Sequence, residues 1–324
     1  MDNVTTTISI IWSAAFLDYL IGDPWGWVHP VQVIGWFISQ YSQFILDRFE
    51  SKTIRKLAGV ILALVVILGT GFVSWLIIHF AQQINPILAI ILQIILLASC
   101  FAGKSLRQAS EDVLQYLKTN DLKEARYRLS FYVGRDTGSL ESGEIYRAIL
   151  ETVTENATDG VTAPAFFALL GAFTPAIGIV PFAMAYKASS TLDSMVGYRN
   201  ETYIDLGWFS AKIEDYLTWL PCRLTVLTLA IVSGNPINKW QQTRQYAIQD
   251  PSPNSGWSES IYAVILGVQL GGINIYKGEQ KIKPLLGEAI NDIESTTIEN
   301  ALSLTRICFL LWLTIASIIL FQWW

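Results

Sequence analysis

Long apolar runs alternate with short polar ones along this chain of 324 residues, and the polar positions mark where membrane segments stop. Residues 57–78 hold more than 20 positions without a charge, enough to cross a hydrocarbon layer as a helix. Residues 302–324 read as a final span, and residues 87–102 as a second span joined to the first through the uncharged link 79–86. Arg48, Lys52, Arg55 and Lys56 flank that hairpin on one outer side, Lys104 and Arg107 on the other. Positive flanks of this kind face the cytoplasm. Residues 8–21 are apolar except for Ser9, Ser13 and Asp18, and form either a short span or a membrane-surface helix.

The middle of the chain breaks the simple alternation. Prolines and glycines in GDPWGWVHPVQVIGWF, residues 22–37, predict an irregular path. Residues 105–130 are polar with a helical pattern, broken near Thr119 and Asn120, and Glu124 with Arg128 forms an i,i+4 pair. A helix begins at Ser142. Residues 163–186 are long enough to span but contain Pro164, Pro175, Pro181, Gly171 and Gly178, so they read either as one span or as a re-entrant pair of half-helices. Residues 217–232 make a short or partial span. Residues 248–260, IQDPSPNSGWSES, form a backbone-rich turn suited to an anion, or a plain loop. Residues 261–273 are short and apolar, followed by Lys277, Lys281 and Lys283. The expected fold class is all-α: one multi-pass integral membrane unit over 1–324, with a cytoplasmic helical cap at about 104–160 and re-entrant segments.

Composition supports the membrane assignment. Hydrophobic residues make up 52% and charged residues 15%, against about 25% charged in soluble domains. The twelve tryptophans suit membrane interfaces. The net charge of −5 and the lack of a basic tract leave no nucleic-acid partner expected. Cys100, Cys222 and Cys308 have no Cys-x-x-Cys spacing and read as small buried hydrophobes. With only His29 and His79, a zinc site is not expected. The first residues lack a basic n-region and a small-residue cleavage site, so no removable signal peptide is expected.

Candidate chemistry concentrates between residues 134 and 223. Glu144, Glu151, Glu155 and Asp159 recur at +7, +4 and +4, which places them within an arc of about 80° on one helix face. Such a face is either solvated, with Arg147 neutralising part of it, or a site for a divalent cation or a phosphate-bearing ligand with its metal. A second polar run carries Lys187, Asp193, Tyr198, Arg199, Asn200, Lys212 and Asp215. Near the N-terminus, Asp18, Asp23 and His29 either border a membrane-surface cleft or serve as caps and anchors.

Five motifs in order, DYLIGDPWGWVHPVQVIG (18–35), GRDT (134–137), ETVTENATDGVTAPAFFALLG (151–171), the stretch from AYKASSTLD to WLPCRLT (185–225) and SPNSGW (252–257), resemble the adenosylcobinamide-phosphate synthase family of cobalamin biosynthesis, labelled CbiB or CobD. The resemblance covers nearly the whole chain; the TPAIGIVPFAM stretch is longer than the usual Gly-rich connection. It implies a cell-membrane enzyme with its active site on the cytoplasmic side. That enzyme joins the propionate carboxylate of adenosylcobyric acid to (R)-1-amino-2-propanol phosphate, with ATP and Mg²⁺ as expected cofactors and other pathway enzymes as expected partners. On that basis Mg²⁺ is expected at Glu151, Glu155 and Asp159. Lys187, Arg199 and Arg223 are expected on phosphates, and the turn holding Ser252 and Asn254 is expected to supply N–H groups. Asp193 or Asp215 is expected as the base. Asp18, Asp23, His29, Arg135, Asp136, Asn156, Tyr198, Asn200 and Lys212 are expected to line the substrate cleft.

Two other readings stand beside this one. Asp159-Gly160-x-x-Ala163 resembles the start of an alcohol-phosphotransferase motif, but Pro164 stands where that motif has Arg. Broken helices with intramembrane polar groups also suit a corrinoid transporter or a non-catalytic pathway subunit, although no inverted repeat is visible.

Overall fold

The computed structural model describes residues 3–22, 29–198 and 200–323, so Asp23 and Arg199 lie outside the described residues. The apolar N-terminal segment is helix α1 (Asn3–Leu20). Helix α2 (Pro30–Arg48) starts on Pro30 with His29 as its N-cap, the ring Nδ1 accepting the Val31 N–H at 3.2 Å. Proline suits the first turn, where its missing donor is not needed, so the irregular path expected over 22–37 is already helical from residue 30. Helix α3 (Lys52–Ile84) exceeds the expected span. It stops only at Asn85, whose side chain accepts the Ile87 N–H at 2.7 Å and caps α4 (Pro86–Ala98). With 13 residues, α4 is about 20 Å long and is short for a span by itself. It bends by 41° into α5 (Gly103–Lys118).

Helix α6 (Leu122–Leu129) follows a left-handed Asn120, where the sequence pattern placed the break. Helix α7 (Ser142–Asn156) then runs through a π-helical turn at Ala157–Thr162 into α8 (Ala163–Ala172). The chain breaks after residue 172, so residues 163–186 are not one continuous helix, and α9 (Ile179–Val196) begins beyond the break. Helices α10 (Trp208–Val232), α11 (Pro236–Ala247) and α12 (Ser255–Leu266) lead to a hairpin, β1 (Leu270–Tyr276) and β2 (Glu279–Leu286), before the final α13 (Ser295–Trp323). The fold is therefore mostly helical rather than all-α. In the antiparallel hairpin Ile273 faces Ile282, and Lys277 and Gly278 at positive φ make the tight turn.

Helices α3, α10 and α13 are long and apolar enough to cross a membrane, and α4 with α5 makes a fourth span if the bent pair counts as one. Along α3, Leu57, Ile61, Leu64, Val65, Leu68 and Phe72 are exposed, a stripe that water would not favour and lipid would.

The chain divides into two compact units. The first comprises residues 1–102, 163–218 and 311–324; α9 packs there against α2, α3 and α8. The second comprises residues 103–162 and 219–310, with α5, α6, α7, α11, α12 and the hairpin.

Candidate functional site

The second unit contains a buried polar network built on one helix and one hairpin. Glu151 on α7 is 2% exposed. One of its oxygens takes the Gly271 N–H at 2.9 Å and an Arg147 N–H at 3.0 Å, and the other is bonded to Arg135. Arg147 also bonds Glu144 and the Gly271 carbonyl, and reaches the Ile273 carbonyl and Asn274 Oδ1, each at 3.2 Å. Arg135 meets the same Asn274 oxygen at 2.8 Å. Gly271 is needed for its backbone: φ is +84°, and a Cβ would stand 1.9 Å from the Pro284 carbonyl oxygen. Asp136 finishes the clamp, its N–H donating to the Ile275 carbonyl and its carboxylate accepting the Gly278 N–H, both at 2.8 Å. Arg135, Asp136 and Glu151 thus pin the hairpin to α7.

The next turn of α7 is different. Glu155 is half-buried and, among the described residues, bonded to no arginine. Beside it on α12, Glu259 is fully buried, and neither of its oxygens accepts a hydrogen bond. The Lys283 ammonium on β2 lies 3.7 Å from one of them. Asp250 and Glu151 add their charges. Burial, reinforced by Glu151 and Asp250, raises the Glu155 pKa above the ordinary carboxylate range against the pull of Lys283 and Arg135. Burial also raises Glu259, well above that range, with Glu155, Glu151 and Asp250 adding to the shift and Lys283 opposing it. Burial pulls Lys283 down, but Glu259, Glu155 and Glu151 outweigh it and the net shift is upward. An excess of negative charge thus raises the proton affinity of the acids and of the lysine alike. Ser258 fixes its geometry, bonding the Thr154 carbonyl at 2.6 Å and the Thr158 hydroxyl at 2.8 Å.

These surroundings redraw the expected metal centre. Two arginines neutralise Glu151, and the π-helical turn moves Asp159 off the regular helical spacing. Among the described residues, no group of three or more His, Cys, Asp and Glu side chains is placed to hold a metal ion. Asp159 is half-buried in the π turn, and its charge acts on the Cys222 thiol. Asn156 bonds back to the Thr152 carbonyl at 2.9 Å.

The turn before α12 is shorter than expected, because the helix starts at Ser255. It is also largely self-satisfied. Asp250 accepts the Ser252 N–H at 2.8 Å, and the Ser252 hydroxyl accepts the N–H groups of Asn254 and Ser255 at 3.2 and 3.1 Å. Those three donors are not turned toward a phosphate. Arg223 on α10 lies 4.4 Å from the Trp257 ring centre and 5.3 Å from that of Trp219, and donates to the Pro253 carbonyl at 2.7 Å and to Asn254 Oδ1 at 3.3 Å. It holds the turn in place.

The first unit contains the remaining candidates. Asp18 is buried on α1, and His29 caps α2. Lys187 and Asp193 are half-buried on α9, Asp215 is half-buried on α10, and Lys212 on α10 is exposed. Tyr198 and Asn200 are exposed, with Asn200 accepting the Tyr203 N–H at 2.9 Å. The charges of Asp193 and Asp215 act on Glu214, a buried acid absent from the expected set, which is bonded to the Thr218 hydroxyl. Glu259 and Lys283 were also not expected at a site. An acid inside the apolar run WSESIYAV was the available signal for Glu259.

The family model described as "CobD/Cbib protein" matches residues 11–305. The chain is 54% identical to "Cobalamin biosynthesis protein CobD" of Synechocystis sp. over 94% of its own length and 89% of the relative's. It is 40% identical to "Cobalamin biosynthesis protein CbiB" of Salmonella arizonae, covering 91% and 92%, and 38% identical to "Cobalamin biosynthesis protein CobD" of Halalkalibacterium halodurans, covering 90% of each. No solved structure matches.

Proposed function

This chain belongs to the CobD/CbiB family of cobalamin biosynthesis proteins, and from that premise we propose that it is an adenosylcobinamide-phosphate synthase. In this reading it is an acid–amine ligase of the cytoplasmic membrane, working on the cytoplasmic side where ATP is available. The observation that supports it most is the buried polar interior of the second unit. A chain with 15% charged residues keeps a braced acid next to an unbraced pair, and ionisable groups are rarely buried without a task.

A carboxylate does not condense with an amine unaided. The corrinoid's propionate oxygen attacks the terminal phosphorus of ATP, ADP leaves, and an acyl phosphate forms. The amine nitrogen of aminopropanol phosphate then attacks the acyl carbon. The carbon–oxygen bond to phosphate breaks, and inorganic phosphate leaves carrying one nitrogen proton; the other passes from the ammonium to a base before the attack, freeing the lone pair. Glu155 takes that proton in this reading, because burial has raised its proton affinity; Asp193 and Asp215 are the acids of the first unit. Arg223 is the cation of the second unit offered to a phosphate group. Among the described residues none are grouped to hold a resident metal ion, and in this reading Mg²⁺ would come with the nucleotide as its counter-ion.

The test is a mass-spectrometric assay of the purified protein in liposomes with adenosylcobyric acid, aminopropanol phosphate, ATP and Mg²⁺, omitting one component at a time. An ATP-dependent product heavier by the amine less one water is expected. Corrinoid movement across the liposome with no such product would replace the ligase reading with transport.

A further inference from the structure

We propose that Glu259, with Glu155 beside it, is the ammonium-recognition site for the amine substrate, and that Lys283 receives the phosphate of the same molecule. This rests on the ligase reading above and adds a residue that neither motif nor family description singles out.

Buried carboxylates normally accept several hydrogen bonds. Glu259 is 0% exposed and accepts none. Lys283, at 3.7 Å, is a counter-ion outside hydrogen-bonding distance. Glu259 does not escape by moving, since the neighbouring Ser258 is tied to Thr154 and Thr158. Three acids, Glu155, Glu259 and Asp250, therefore share mainly one lysine, because Arg135 is bonded to Glu151 and Asn274. The site is short of positive charge and of donors.

An alkylammonium supplies both. It carries one charge and three donors on a compact head that tolerates irregular acceptor geometry. A divalent cation needs a defined shell of oxygens, and no such group is present among the described residues. A zwitterionic aminoalkyl phosphate adds a further advantage. Its ammonium replaces Lys283 opposite Glu259 while its phosphate takes up the released lysine, so one internal ion pair becomes two. Access exists through half-buried Glu155 and Asp250 and through Lys283, whose side chain is 33% exposed.

The experiment compares the wild type with Glu259→Gln and Lys283→Gln in the liposome ligase assay. Glu259→Gln is expected to raise KM for aminopropanol phosphate by about 30-fold or more and to leave KM for ATP unchanged. An amine KM within about twofold of the wild type overturns the proposal. Lys283→Gln is expected to shrink the preference for aminopropanol phosphate over unphosphorylated aminopropanol by about tenfold or more. An unchanged preference overturns the phosphate assignment, and this arm decides if Glu259→Gln does not fold. A wild type that ligates no amine sinks the ligase reading separately. Calorimetric binding of aminopropanol phosphate against propanediol phosphate, which lacks the ammonium, then tests the site alone: tighter binding of the amine supports it and equal binding overturns it.

Discussion

Glu151 and Glu155 stand one turn apart on α7 in contrasting surroundings. Glu151 has two arginines and a backbone N–H, and its partners run through Asn274 and Gly271 into the hairpin. Glu155 faces Glu259 and Asp250, with Lys283 as the main nearby cation and Arg135 committed elsewhere. A satisfied buried ion network braces structure, whereas an underpaired one stores electrostatic stress that a ligand relieves. The same residue type on the same helix thus serves as brace in one turn and as candidate reagent in the next.

The strongest test of the brace is Arg135→Ala. It leaves Glu151 buried with part of its charge unmatched and is expected to cost about 3–5 kcal/mol, read as a large drop in unfolding temperature in detergent. Glu155→Ala is expected to do the reverse. Turnover falls by at least about 100-fold, while the unfolding temperature holds or rises because a repulsive charge has gone. If Glu155→Ala unfolds the protein as readily as Arg135→Ala does, the contrast between the two turns is wrong. Gly271→Ala comes next, at about 1–3 kcal/mol, since the new Cβ meets the Pro284 carbonyl at positive φ.

The pH response sharpens the contrast further. Glu155 and Glu259 have folded-state pKa values raised above the ordinary 4.5, so the folded chain keeps protons that the unfolded chain has released. Their effect on stability is most favourable at and below that ordinary value and declines as pH climbs through the folded values. Lys283 is raised above 10.5; its contribution is full below that value and is lost only as pH rises through its own folded value. Glu259→Gln should therefore gain stability relative to the wild type as pH rises from about 5 to 8, measured by thermal unfolding across that range. Parallel profiles would contradict the assignment. The smallest effect belongs to the half-exposed Arg128–Glu124 pair at 2.9 Å: Arg128→Ala should leave the unfolding temperature nearly unchanged.

Hydropathy made the long elements readable. Helix α3, the start of α7, the Asn120 break and the interruption after residue 172 all follow from apolar runs, turn residues and proline. The hairpin was hidden because Leu270 and Ile273 continue the apolar run of α12, and because Lys277 is an unusual residue for a left-handed turn. The acidic spacing on α7 marked the right region but not the roles. Which acid is neutralised depends on Arg135, 16 positions from Glu151, and on the Gly271 backbone, 120 positions away, and neither spacing is a helical one. Glu259 escaped notice for the same reason: its partners come from α7 and β2, and nothing local to it in sequence signals them.

The most direct test of the central claim is product formation by wild type and Glu155→Ala, side by side in liposomes with adenosylcobyric acid, aminopropanol phosphate, ATP and Mg²⁺. The account predicts ATP-dependent amide product from the wild type and at least about 100-fold less from a variant that unfolds no lower than the wild type. Near-normal product from Glu155→Ala would contradict it.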